Sequence, residues 1–336
     1  MTTEQIQFIV DHQRFPGAKL PVEWVETHIS WVLLTPDFAF KIKKPVQYSF
    51  LDFSTLEQRA FFCQEEVRLN RRLAPRMYLD VLPVSYAADG LLEIGIEART
   101  PVDFAVWMKR MDDRRQMDRL LLQNAVSTAE MRSLAKILAH FHQSVIIPQT
   151  ATLYKAGDNR TDFDDLFGLK NACVQLFGAE AAAILEAWRH QVGSFLDVHE
   201  PRLHDRAEAG FWVDGHGDLH GRNIFLLPEG PVVFDCIEFN PHFRKLDVLN
   251  ELAFLGMELD AGGHHELEKA FMDAYLREWK CIKNREDEKL LRYFKAYRAN
   301  VRLKVTLMEW QQHPAAATAK TAGGYWDLLT GYLADL

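Results

Sequence analysis

The sequence predicts an α+β protein in two parts, a small antiparallel β-sheet followed by a mostly helical remainder. Three observations carry that prediction. Short apolar runs bounded by turn residues fill the first hundred residues. After the boundary, which falls at 108–113, apolar positions recur mainly at helical spacing. The exception is "GHGDLHGRNIFLLPEGPVVFDCIEFN" at 215–240, where polar groups crowd between two short apolar runs. The two parts are accordingly 1–107 and 108–336.

In chain order, "WVETHISWVLL" reads as a first hairpin, and "ISWVLLT", "PDF" and "AFKIKK" as a second closed by a Pro-Asp turn. Ser54 and Glu57 match a capping box, so a helix is expected through Leu73 and stopped by Pro75. "YLDVLPVSYAADGLLEIGI" reads as two strands around Asp89-Gly90. "VDFAVWMKRM" is a further strand, which "DDRRQMDRLL" leaves as polar chain and helix. Ser127 and Glu130 make a second capping box, and Met131, Leu134, Leu138 and Phe141 then share one helical face. "DFDDLF" (162–167) reads as a solvated turn, whereas "EAAAILEAWRHQVGSFL" and "DEKLLRYFKAYRANVRLKVTLMEW" are long helices. "FWVDGHGDLHGRNIFLL" and "PVVFDCIEF" are expected to form one small irregular sheet around polar loops.

With 336 residues and 48% hydrophobic content, the chain has room for more than one small core. Its net charge of -8 argues against nucleic acid and anionic membrane as partners. Cys63, Cys173, Cys236 and Cys281 are scattered without a CxxC pair, as expected of reduced thiols in a cytoplasmic protein. The opening "MTTEQIQFIVDHQRF" lacks the basic-then-apolar pattern of a signal peptide, and no apolar run approaches the ~20 residues that span a bilayer.

The polar span carries the chemistry. His216 and His220 flank Asp218 in a Gly-rich stretch that cannot be a regular helix interior. Asn223 precedes one apolar run and Asp235 ends the next, so a hairpin turning at Pro-Glu-Gly would bring both to one end. An Asn carbonyl beside a carboxylate suits magnesium, and Asp218 is a group able to accept a proton from a hydroxyl. Phosphoryl transfer needs that combination of positioning and cationic charge. A different reading takes His216, Asp218, His220 and Asp235 as ligands of zinc or manganese in a metallohydrolase.

"HGDLHGRNIFL" followed by "VVFDCIEF" resembles the catalytic loop and metal-binding strand of the aminoglycoside phosphotransferase (choline kinase-like) family, which has a protein-kinase-like fold. "LAKILAHFHQS" (134–144) is similar to that family's helix before the catalytic loop, and "LDVLNELAFL" (246–255) to its acidic segment, with Asp247 and Glu251 at the acidic positions. The N-terminal part resembles the lobe of a bacterial subfamily, some of whose members are fused to a P-loop ATPase. This chain has no GxxxxGK[ST] and so resembles the stand-alone form, for which a separate P-loop ATPase is a candidate partner.

The resemblance implies a nucleotide-binding lobe at 1–107 and a catalytic and substrate-binding lobe at 108–336. It implies ATP and magnesium (Mg2+) as cofactors and a small-molecule hydroxyl as acceptor. Asp218 would be the catalytic residue, and Asn223 and Asp235 the magnesium ligands. A lysine of the third strand would contact the α- and β-phosphates and pair with a helix Glu. Lys41 and Lys43 share one strand face, and Lys41 is favoured. Glu66 is favoured over Glu65, because it shares a helical face with Phe62, Leu69 and Leu73 while Glu65 falls with Gln58, Arg68 and Arg72. A carboxylate buried there needs a cation.

The first hairpin lacks the glycines of a kinase phosphate loop, leaving Thr27 or Ser30 as phosphate donors. Glu238 is an extra carboxylate, available to a cationic substrate group or to Arg244. His216 is expected to support the loop, and His220 to support it or touch phosphate. The main chain at 106–111 would read the base. Arg298 and Arg302, one turn apart, would share an anionic substrate or a carboxylate such as Glu251. Late helices of mixed charge argue against a polycationic acceptor. A nucleotide-binding module without activity is the alternative that keeps the fold.

Overall fold

The computed structural model describes residues 1–48, 50–95, 100–148 and 156–336, so the end of the expected strand at 96 lies outside the described residues. The elements in chain order are α1 (Thr3–Asp11), β1 (Glu23–Glu26), β2 (Ser30–Leu34), β3 (Phe38–Lys43), β4 (Gln47–Tyr48), β5 (Leu51–Asp52), α2 (Leu56–Asn70), β6 (Tyr78–Tyr86), β7 (Leu92–Ile94) and β8 (Pro101–Lys109). They continue with α3 (Met117–Leu122), α4 (Thr128–Ser144), α5 (Ala156–Asp164), α6 (Lys170–Phe177), α7 (Ala181–Glu208), β9 (Trp212–Asp214), β10 (Ile224–Leu227), β11 (Gly230–Val233) and β12 (Lys245–Asp247). The last are α8 (Val248–Ala261), α9 (His265–Glu278), α10 (Arg285–Gln312) and α11 (Ala316–Ala334). Among the described residues, no helix is long and apolar enough to cross a membrane.

The chain forms two compact units, one of Met1–Arg119 with Arg222–Arg244, the other of Leu120–Gly221 with Lys245–Leu336. In the first, six strands form an antiparallel sheet in the order β1-β2-β3-β8-β6-β7. Strand alternation decides what each sheet face does. Phe40 and Ile42 of β3 pack with Ile6 and Ile9 of α1, which composition had not marked as a helix, and with Leu33 and Val84. Ala39, on the opposite face, packs with Cys63 and Val67 of α2, with Val106 and with Phe225 of β10. Lys41 and Lys43 share parity with Ala39 and so emerge on the α2 side.

Helix α2 starts one residue later than Ser54 and Glu57 imply. Thr55, in extended backbone, accepts from Gln58 N–H at 3.2 Å, and the Gln58 side chain reaches back to the Thr55 amide at 3.3 Å. Ser54 cannot serve as the cap because its amide is held in a turn by Asp52 Oδ1 at 2.9 Å. The helix ends at Asn70, short of Leu73. The Ser127–Glu130 capping box forms as expected.

In the second unit α8 is the most buried helix, with Leu249, Leu252, Ala253, Leu255 and Leu259 inaccessible. It packs on α10, while α4 packs on α9 and α11 on α10. The segment at 162–167 is helical, with Phe163 and Leu166 buried, and is not a solvated turn. The single small sheet expected around the polar span is instead two ladders. β10 pairs with β11 in the first unit, and β9 pairs with β12 in the second. The chain crosses from one unit to the other at 221–222, between the two polar halves of the motif.

Candidate active site

In the first unit, Lys41 Nζ lies 2.9 Å from Glu66 Oε1 and 2.8 Å from Asp235 Oδ1. Lys43 Nζ lies 2.6 Å from Glu66 Oε2 and also grips Glu238 Oε1. Two cations therefore meet three carboxylates. Glu66 thus pairs with both candidate lysines, and Glu65 turns outward to Arg68 at 2.7 Å. The Lys43 and Glu66 side chains are 1% and 0% exposed, whereas Lys41 is 15% and Asp235 44% exposed. The outer pair is thus reachable from solvent, and the inner pair is not.

Electrostatics follow that layering. Burial works against the Lys41 charge, but Asp235, Glu66 and Glu238 more than offset it, holding the ammonium well above its ordinary value. Burial would raise the Glu66 carboxyl, but Lys41 and Lys43 bring it down to about 2. For Glu238 burial wins, and its carboxyl is pushed up despite Lys43. Glu238 therefore completes the buried lysine's shell, a duty the sequence reading assigned to neither of its two options.

The β10–β11 hairpin positions Asp235. Ile224 pairs with Val233, and the Phe234 amide donates to Asn223 O at 3.0 Å, so Asn223 and Asp235 flank the same open end. Asp235 adopts φ +62, a left-handed conformation uncommon for a residue with a side chain. Its amide donates to the Tyr78 hydroxyl at 3.2 Å. The next amide, of Cys236, donates to Asn70 Oδ1 at 2.8 Å, locking the turn onto α2. Thr27 spends its hydroxyl inside the β1–β2 turn, donating to Ser30 O and accepting from the Ser30 amide at 3.0 Å, which removes it as a phosphate donor. The Ser30 hydroxyl is buried and has no hydrogen-bond partner among the described residues. At 106–111 the Lys109 and Arg110 amides donate to Met77 O and Asp37 O at 2.8 and 2.9 Å, so those two groups are already taken.

In the second unit, α8 clamps the loop at 215–221. Glu251 accepts from the His216 and Gly217 amides at 2.6 and 2.9 Å, and Glu258, two turns on, accepts from the Gly221 amide at 2.5 Å. Phe254, between them on the same face, meets the His220 ring with centroids 5.3 Å apart. Gly217 takes φ +85, which only glycine adopts freely. The His216 ring turns inward, its Nδ1 accepting from the Asp218 amide at 3.3 Å. His220 Nε2 lies 3.2 Å from Asp218 Oδ2. Burial alone would raise the Asp218 carboxyl, but His220, with His216 and Arg298 adding, holds it well below the usual carboxylate range. The carboxylate keeps access to solvent, with 38% of the side chain exposed.

Asp247 and Arg298 hold the elements around the loop. Asp247 caps α8 through the Leu249 amide and takes Arg206 bidentately at 2.7 and 2.8 Å, fixing the helix behind the loop. Arg298 is buried and, among the described residues, forms no ion pair with Glu251: it donates to Asn250 Oδ1 at 2.7 Å and to Gly217 O at 3.1 Å. His216, Asp218 and His220 do not present ligand atoms to one point, because each histidine spends a nitrogen on Asp218. The metal-ligand grouping found among the described residues is elsewhere, at Asp260, His265 and Glu268, where Lys295 already neutralises Asp260 and Glu268. Glu258 and Asn250 escaped the sequence reading. The spacing of Glu251, Phe254 and Glu258 on one helical face was the signal that could have found Glu258.

No known protein-family description matches the sequence. The chain is 31% identical over 300 residues to an uncharacterized protein of Mycobacterium tuberculosis (strain ATCC 25618 / H37Rv), and equally so to one of Mycobacterium bovis, covering 88% of this chain and 56% of each relative. The chain thus spans little more than half the length of the curated relatives it matches. Among solved structures it is similar to the GDP complex of aminoglycoside 2'-phosphotransferase-IIIa, with a TM-score of 0.54, 13% identity and coverage of 99% of this chain and 98% of that one. It is similar also to a choline kinase from Cryptosporidium parvum Iowa II, with a TM-score of 0.55, 14% identity and coverage of 98% and 94%. These likenesses show the two-lobed protein-kinase-like fold.

Proposed function

We propose that the chain is a phosphotransferase that moves the γ-phosphoryl group of ATP to a hydroxyl of a small molecule, with magnesium. The observation that carries the reading is Lys41, shared between Glu66 and a solvent-reachable Asp235 held at positive φ. An ion pair between strand and helix would hold a cation ready for nucleotide phosphates, and a strained carboxylate is a common mark of a functional site. Both structural likenesses are to enzymes named as acting on small hydroxylated molecules, which favours the same class.

The donor set at the hairpin end fits magnesium. It offers one amide oxygen from Asn223 and one carboxylate from Asp235, the hard oxygen ligands that this ion takes alongside phosphate and water. When bound there, magnesium would supply positive charge to the phosphates. The chain's own residues do the rest. Lys41 binds phosphate oxygens, and Glu66 with Lys43 fixes its direction. Asp218, ionised at neutral pH, accepts the hydrogen bond of the acceptor hydroxyl and orients its oxygen. Its low proton affinity suits a loose transition state, in which the hydroxyl proton leaves late. Glu251 and Glu258 hold the loop amides so that Asp218 costs little reorganisation.

Calorimetry tests the reading: ATP and GTP titrated with and without magnesium into wild type and Asp235→Ala. We expect magnesium-dependent nucleotide binding that Asp235→Ala weakens at least tenfold. Absence of nucleotide binding under every condition would overturn the phosphotransferase reading. Binding without transfer to any acceptor would favour the inactive module.

A further inference from the structure

We propose that the acceptor of this reaction carries an oxyanion, a carboxylate or a phosphate ester, and that Arg302 binds it. The proposal rests on the phosphotransferase reading and narrows its substrate class. It starts from a difference between two arginines on one helix face. Arg298 and Arg302 are one turn apart on α10, about 6 Å along the axis at 1.5 Å per residue. Arg298 is consumed by the loop: it donates to the carbonyl of Gly217, the residue just before Asp218, and lies 4.7 Å over the Phe254 ring. Arg302 therefore stands one turn beyond the point where α10 touches the catalytic loop.

Arg302 is half-buried, yet among the described residues its sole hydrogen-bond partner is the Tyr325 hydroxyl, met by Nε at 3.4 Å. Its guanidinium lies 5.7 Å over the Tyr325 ring, and among the described residues neither Nη group has a hydrogen-bond acceptor. Other enclosed arginines of the unit are matched: buried Arg206 takes Asp247, Asp287 and Cys281 O, and half-buried Arg202 takes Asp287. A guanidinium is a planar fork of donors made for bidentate carboxylate or phosphate, and removing it from water without such a partner is costly.

Neighbouring groups favour the charge without filling the fork. Burial works against the charge, but Tyr325, Asp218 and Glu258 hold it above its ordinary value. Glu258 is spent on the Gly221 amide and Asp218 on His220. An acceptor that places its hydroxyl at Asp218 thus has a cation among its near neighbours, with two free donor groups. A polycationic acceptor would meet repulsion at the same place.

Equilibrium binding by the full chain, with magnesium and a non-hydrolysable ATP analogue, tests the proposal. The probes are a hydroxy acid (glycerate), a sugar phosphate (glucose 6-phosphate), a neutral sugar (glucose) and an amino alcohol (ethanolamine). We expect an anionic probe to bind, Arg302→Gln to weaken it by about tenfold or more, and Arg302→Lys to recover part of the loss, since hydrogen bonds to charged groups are the strong ones. Whichever anion binds tells carboxylate from phosphate. Binding by the neutral or cationic probe alone, binding by none, or anion binding untouched by Arg302→Gln would overturn it. If Arg302→Gln melts early, Arg302→Lys decides, because it keeps the charge and loses the fork. Analogue binding to wild type is read separately. Its loss with anion binding intact would sink the phosphotransferase reading and with it the acceptor assignment.

Discussion

Replacing Lys43 with Met would leave Glu66 and Glu238 buried with one cation fewer, and breaking such a pair costs about 3–5 kcal/mol. Lys41→Met should cost clearly less, because the Lys41 and Asp235 side chains reach solvent. Urea unfolding of the two variants would read the difference, and equal losses would refute the layered picture. His220 gives a second prediction. Burial lowers its proton affinity, but Asp218 and Glu258 raise it above the ordinary histidine value of about 6.5, against Arg302. A raised value stabilises the fold fully below 6.5, and that contribution fades as pH climbs through the folded-state value. Unfolding free energy should therefore fall with rising pH in that window, and His220→Gln should flatten the fall. At this scale the shared face of Lys41 and Lys43 and the inward face of Glu66 were legible, because strand and helix periods assign faces. Glu238 was not, because its partner is far away in sequence and no period links them.

Helix α2 carries Glu66, so its start sets where that carboxylate lies. Thr55→Ala should destabilise the protein by about 1 kcal/mol while Ser54→Ala stays nearly silent, an outcome urea midpoints would check. The sequence pattern picked Ser54 with Glu57, although Thr55 with Gln58 fits the same spacing. Only the competing Asp52 turn chose between them. The hairpins at β2–β3 and β10–β11 were readable because turn residues interrupt apolar runs. The pairing of β9 with β12 was hidden, since strands of three residues leave almost no alternation to read. Helix α8 shows the same limit. Its acidic positions stood out by resemblance, but its clamp on the loop amides needs a partner with no side-chain signature.

Across the whole molecule, the β-rich beginning and helical end followed from pattern alone, and the protein-kinase-like fold followed from the loop's resemblance. What pattern did not encode is that Arg222–Arg244 joins the N-terminal unit. Sheet alternation and helical spacing describe neighbours along the chain, whereas this segment is bound by contacts such as Phe225 with Val106 that skip over a hundred residues. That discontinuity bears on synthesis. While the ribosome is still making the second unit, the nascent first unit holds Lys41 and Lys43 with Glu66 but has neither Asp235 nor Glu238. At ~5–20 residues per second, roughly a hundred further residues mean a wait of ~5–20 s with two cations facing one carboxylate. The first unit can close its own charge cluster only after about half of the second, 120–221, has left the tunnel.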